Sequence, residues 1–414
     1  MGDPMQPGDL DLADPRNVIR FEGPPNDYFE MLRREAPVHW NELTDASRSE
    51  LPPMQQGFWV LSKHADVVRA SKDHATFSSH LGGPILWDPQ DEMLALQRAG
   101  MMGMDPPAHS RYRKLVSGGF TPRGVRTLEQ AIRSRAAEIV DAVAARGRCD
   151  FVRDLGWELP LTTLCEFMGI PLEDREDIFL WSTQAATPES GTPEARAAAL
   201  AALTGYALQL AKQKREAPDD SLISKYANGE VDGESLADIE IAMFFTTLSI
   251  AGHETTRNTS NHLMRLLSEH PEQKELLLGD LEALLPNAID EALRHAPPVM
   301  QFRRTVAADL ELRGQKLRVG DKVCLSYVSA NRDEEVFDDP NRFDITRHNA
   351  REHLAFGSGN HFCMGAQLAR MQLQALFGEI LARLPDIHLA APPERMLSLW
   401  FNGIERMEVA YTPA

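Results

Sequence analysis

The sequence predicts a mainly α-helical protein with a minor β-sheet region, and three observations point there. From about Thr121 to Glu269 apolar residues recur largely at helical spacing, broken by turn clusters such as TPESGTP (187–193) and EAPDD (216–220). Near the C-terminus Ala369, Leu373, Leu376, Phe377, Ile380 and Leu384 repeat at the same spacing. Strand-like sequence is confined to short runs.

Taken in order, residues 1–30 read as a Pro/Gly-rich arm, and residues 31–414 as one large domain with no internal repeat or low-complexity linker to divide it. PVHW and GFWVLS, with aromatic and β-branched residues, read as short strands leading into helix. The stretch 310–330, LELRGQKLRVGDKVCLSYVSA, alternates about Gly314 and Gly320 and reads as a small sheet.

Of 414 residues, 61 are acidic and 43 basic, a formal balance of −18 that disfavours nonspecific binding to nucleic acid or anionic membrane. The most apolar run, IAMFFTTLSIAG, falls short of the ~20 apolar residues a bilayer span requires. The opening MGDPMQPGDLDLADP is acidic and proline-rich, unlike a secretory signal. Cys149, Cys165, Cys324 and Cys363 lie far apart, with no zinc-type spacing. A cytoplasmic chain with reduced thiols is expected, and a monomer.

One cysteine stands out. In FGSGNHFCMG (356–365), Cys363 lies among glycines 357, 359 and 365, directly ahead of the amphipathic C-terminal helix. Glycines allow positive φ and close approach of backbone to a flat ligand. A loop feeding a helix N-terminus supplies N–H donors and a favourable dipole for a thiolate.

This loop resembles the heme-ligand signature of the cytochrome P-450 family, soluble bacterial ferredoxin-dependent type. The resemblance runs from about residue 30 to the C-terminus and implies that family's helical fold with heme b as cofactor. It implies Cys363 as the axial iron ligand, Phe356 packed on the sulfur side, Gly365 in the cradle and His361 as a donor to a heme propionate. A thiolate ligand pushes electron density toward iron and favours O–O cleavage.

Further motifs agree. In AGHETT (251–256), helical spacing puts Ala251 and Thr255 on one face with Gly252 beside them, small enough for a macrocycle and a diatomic molecule to approach. The segment resembles the family's oxygen-binding groove, in which an acid–alcohol pair, here Glu254 and Thr255, delivers protons. A peroxide-using relative would lack that pair, so O2 is the expected oxidant. His253 is expected to point away from the heme. EALR sets Glu291 and Arg294 at i, i+3, able to pair. The resemblance implies a buried structural network completed by Arg342 or Arg347 of DPNRFDITR. His109 and Arg113 stand at i, i+4, two donors suited to an anion. With Arg304 they match the family's propionate-binding residues.

The segments matching the family's pocket walls carry Ile85, Leu86, Leu248, Val299, Met300 and Phe401. They are apolar, as for a lipophilic ligand. GFTPR, SANRDEEVF and FNGI look similar to bacterial members acting on sterol side chains, branched lipids or terpenes. The expected function is hydroxylation of such a molecule, with electrons from a [2Fe–2S] ferredoxin and its reductase docking near Arg111, Lys114, Arg123 and Arg370. The alternative is a non-catalytic heme-thiolate binding or sensor protein.

Overall fold

The computed structural model describes residues 5–49, 54–186, 191–231 and 233–414, so residues 187–190 of the expected turn cluster lie outside the described residues. Eight helices position the site: α1 (Ala108–Val116), α2 (Glu129–Ala144), α3 (Glu158–Met168), α4 (Arg175–Ala186), α5 (Pro193–Glu216), α6 (Asp238–Glu269), α7 (Leu281–His295) and α8 (Ala366–Arg383). The 32-residue α6 is about 48 Å long at 1.5 Å per residue and forms the spine. Its first turn is capped by Glu240, whose carboxylate accepts the Ala237 N–H at 2.7 Å.

Two large apolar cores form along α6. Phe244, Phe245 and Ile241 of its N-terminal half pack with Leu161, Leu164 and Cys165 of α3 and with Leu203, Ala207 and Leu210 of α5. Leu263, Met264, Leu266 and Leu267 of its C-terminal half pack with α2, α7 and α8. In α8, Leu373, Leu376, Phe377 and Ile380 are buried there, as the spacing predicts.

The main sheet holds five strands: β1 (Val38–Asn41), β2 (Phe58–Leu61), β3 (Phe77–Ser78), β4 (Gln301–Val306) and β5 (Lys322–Ser326). Their order is β1-β2-β5-β4-β3, antiparallel except for the β2/β5 pair. PVHW and GFWVLS thus supply the expected strands. The 310–330 segment divides: Leu310–Leu312 and Gln315–Leu317 form their own hairpin, β5 joins the main sheet, and Tyr327–Ala330 is helical.

The N-terminal arm is a docked element. Leu10, Ala13 and Val18 are buried with Tyr28, Phe58, Met300 and Cys324, and Asn26–Glu35 is already helix. Buried Asp11 latches the arm, accepting from Ala13 N at 2.8 Å, Asn41 Nδ2 at 2.9 Å and Thr44 N at 2.8 Å. No helix among the described residues is long and apolar enough to cross a membrane.

Candidate active site

The cysteine loop turns on Gly357 and Gly359, at φ +71° and +68°. A side chain at 359 would also strike the Ser71 carbonyl, 2.7 Å from an added Cβ. The Cys363 N–H donates to the Phe356 carbonyl at 2.8 Å, closing the loop just before α8 begins at Ala366. All four cysteines are free; Cys149, Cys165 and Cys324 are buried and Cys363 alone is exposed. Burial pushes the Cys149 and Cys165 thiols up, to about 11 and about 12. Burial also raises Cys363, against the backbone N–H groups of Gly365 and Ala366 and the charges of Arg113 and Arg370.

Four donors gather near it. The His109 and His361 rings lie 4.3 Å apart, and His361 Nε2 is 3.3 Å from Ser79 Oγ. Arg113 donates to the Asn360 and Phe362 carbonyls at 2.9 and 2.6 Å. Buried Arg304 donates to the Arg303 carbonyl at 2.7 Å. Among the described residues neither arginine meets a carboxylate within ion-pair distance, and buried His109 Nδ1 has no hydrogen-bond partner. Burial, with Arg113 and Arg304 nearby, lowers His109 to about 4; burial, Arg304, His109 and Arg113 lower His361 to about 2. Asp105 acts on His109 and Arg304 while accepting from Ser78 and Ser79, so one carboxylate faces two cations and two neutral imidazoles, and the excess positive charge makes a receptor for an anion.

Helix α6 is buried at most positions between Ile241 and Leu267. Thr247, Leu248, Ile250, Ala251, Gly252 and Thr255 are half-open, and the 247–251–255 spacing marks one face. Thr255 Oγ1 donates to the Ala251 carbonyl at 2.9 Å. At Gly252 an added Cβ would stand 2.6 Å from Leu164 Cδ1, so the glycine also admits close packing of α3. Glu254 is buried and holds Arg257 and Asn258, the latter at 3.0 Å. His253 Nδ1 donates to the Ser249 carbonyl at 2.6 Å, and its ring lies 5.6 Å from Phe179 of α4. Its Nε2 is 3.8 Å from Glu254 Oε2, and neither atom has a hydrogen-bond partner.

Glu291 and Arg294 pair fully buried at 2.7 and 2.8 Å. The later arginine is Arg347, whose Nε donates to Glu291 Oε1 at 3.2 Å; Arg342 contributes only its carbonyl, accepting from both arginines at 3.0 Å. A second network beside it escaped the sequence reading. Asp290, fully buried, accepts from Arg351 at 3.0 Å, Arg370 at 2.8 Å and His353 at 3.3 Å. No spacing motif marks it; the only signal is an acid adjoining Glu291. Arg370, expected on a free docking surface, is instead tied to Asp290 and laid over the Phe356 ring at 4.6 Å.

The expected pocket residues divide among cores. Val299 pairs with Phe401 and clusters with Met396 and Trp400, against half-buried Met102, Ile250 and Phe302, which the sequence did not suggest. Leu248 packs at the edge of the α3/α5/α6 core. Ile85 is half-buried. Leu86 and Met300 belong instead to the core under the N-terminal arm. Val299 and Met300 are consecutive in extended backbone and point to opposite sides, so only one can face the α6 wall.

Residues 195–385 match the sequence pattern described as cytochrome P450. The chain is 38% identical to a steroid C26-monooxygenase of Mycolicibacterium smegmatis, over 100% of this chain and 96% of that protein. It is 40% identical to a methyl-branched lipid omega-hydroxylase of Mycobacterium tuberculosis, over 93% of this chain and 90% of that one. A Mycobacterium marinum cytochrome P450 in complex with pseudoionone superposes with a TM-score of 0.89 at 37% identity, over 98% of this chain and 100% of that one.

Proposed function

Since the chain belongs to the cytochrome P450 family and is a monooxygenase with a cysteine-ligated heme iron, we propose that Cys363 is the ligand and that the substrate is a sterol, terpenoid or methyl-branched lipid. The observation that carries the ligand assignment is the accessibility of one free thiol out of four. Nearby, the donor cluster of His109, Arg113, Arg304 and His361 carries two cations against the single carboxylate of Asp105, and heme propionates suit it in charge and hydrogen bonding. The residues present therefore fit the group. When bound, the heme supplies O2 activation, with two electrons and two protons giving water and one oxygen inserted into a C–H bond.

The chain's own part is positioning and proton handling. Thr255 spends its hydroxyl proton on the Ala251 carbonyl, leaving lone pairs to orient a water on the half-open face. Glu254 is the proton source in this reading. Because it is buried and held by Arg257 and Asn258, it reloads through that polar cluster rather than from bulk solvent directly. Apolar side chains of Val299, Phe401, Ile250 and Met102 would exclude water and favour a lipophilic substrate. The names of the relatives support a sterol or branched lipid.

Electrons would come from a [2Fe–2S] ferredoxin and its reductase. Exposed Arg111, Lys114 and Arg123 are the proposed docking charges, in a cytoplasmic setting that keeps the thiols free. Titrating lipophiles into the heme-loaded protein tests the substrate class. A shift from low- to high-spin iron with sterols, terpenoids or branched fatty compounds supports it; a shift with charged metabolites alone refutes it.

A further inference from the structure

We propose that Asp290 is a positioning residue for the thiolate, fixing Arg370 against the Phe356 ring so that one positive charge is held beside Cys363. This rests on the reading of Cys363 as the heme ligand.

Asp290 and Glu291 are neighbours on α7, about 100° apart around the helix, and each serves a separate network. Glu291 binds Arg294 and Arg347 of the segment leading to the loop. Asp290 reaches residues on either side of the loop, Arg351 and His353 before it and Arg370 after it. His353 Nδ1 accepts the Ala355 N–H at 3.2 Å, so Nε2 carries the proton that is donated to Asp290. Arg370 meets the same carboxylate through Nε at 2.8 Å and Nη2 at 2.7 Å. Its guanidinium lies 4.6 Å from the Phe356 ring centroid, and the Phe356 carbonyl takes the Cys363 N–H.

Burying a carboxylate is costly unless its charge is paired and its oxygens are hydrogen-bonded. Arg370 is a quarter exposed and Arg351 mostly exposed, so water alone would satisfy both. What water would not do is hold Arg370 on Phe356. Arg370, with Arg113, is among the charges that act on the Cys363 sulfur, and a cation there favours the reduced iron, which carries one more negative charge.

The test is the midpoint potential of the heme-loaded protein, with the carbon monoxide spectrum as control. Asp290→Asn removes a negative charge but keeps an acceptor that holds Arg370, and should raise the potential; Asp290→Leu removes the same charge and the acceptor as well, and should lie below Asp290→Asn because Arg370 is released. Arg370→Gln should lower the potential. Asp290→Asn and Arg370→Gln are each expected to alter the reduced-to-oxidised ratio at fixed potential about tenfold, equivalent to 59 mV for one electron. Arg370→Lys should restore the potential toward the parent's. A role confined to loop stability would move Asp290→Asn and Arg370→Gln the same way. A role confined to partner docking would change the reduction rate and leave the potential alone. If Asp290→Asn takes up no heme, the Arg370 pair still decides: Gln below Lys supports the proposal, and equal values overturn it. A parent without the thiolate band would overturn the ligand assignment and this proposal together. A parent with the band, but potentials that shift together or not at all, would overturn this proposal alone.

Discussion

Gly252 of α6 lies so close to Leu164 of α3 that an added Cβ would stand 2.6 Å from the leucine Cδ1. The two helices meet there at the junction of the half-open face and the α3/α5/α6 core. Gly252→Ala should therefore forfeit part of the ~1 kcal/mol that alanine's helix propensity offers, because the end of the Leu164 side chain must turn aside. In a Leu164→Ala background the same substitution should recover the forfeited part. Chemical denaturation of the single and double variants measures both effects; additive effects would exclude the contact as the cause.

Thr255→Ala removes a hydroxyl from the half-open face while keeping the helix. Heme uptake, substrate binding and reductant consumption should persist, while electrons are diverted from hydroxylated product to hydrogen peroxide. Glu254→Gln should slow the whole cycle, since positioned acid–base groups typically contribute about 10²–10⁴-fold. The ratio of product to reductant consumed checks the first variant. A ratio equal to the parent's would leave Thr255 as a helix threonine bonded to its own backbone.

His253 sets a pH dependence of stability. Burial lowers its folded pKa to about 4 from 6.5, with the neighbouring Glu254 opposing and Arg257 assisting. The unfolded chain therefore binds this proton first. The stability contribution is full above pH 6.5 and is lost progressively as pH falls to about 4. Over that window the single group accounts for roughly 3 kcal/mol, at 1.36 kcal/mol per pH unit. His253→Gln should flatten the stability–pH profile between those limits by about one proton. An unchanged slope would contradict the buried neutral imidazole.

Reduction by a ferredoxin should slow with rising ionic strength and with charge reversal at Lys114 or Arg123, because steering by exposed charges is screened. Stopped-flow reduction rates at several salt concentrations are the check. Rates insensitive to both salt and reversal would remove this face as the docking surface.

Much of this was legible in the sequence because its signals are local. FGSGNHFCMG fixes a loop before a helix, AGHETT places small residues one turn apart, and PVHW and GFWVLS carry strand composition. What was not legible depended on which way a side chain points. That the missing Cβ of Gly252 faces Leu164 of α3 shows only in the fold. Met300 shares the apolar character of Val299 and points the other way. Arg370 reads as a surface charge, and only the fold brings it to Asp290, 80 residues earlier. The choice between Arg342 and Arg347 likewise needed the path of the chain, which turns the Arg347 side chain to Glu291 and the Arg342 carbonyl to Arg294.

The central claim is that Cys363 is the heme-iron ligand, and the carbon monoxide difference spectrum of the reduced protein tests it most directly. The parent, and variants with serine at Cys149, Cys165 or Cys324, should each show the red-shifted Soret band of thiolate ligation. Cys363→Ser should lose it, since an alcohol does not supply the same electron push. A Cys363→Ser protein that kept the band, or a parent that never showed it, would contradict the assignment.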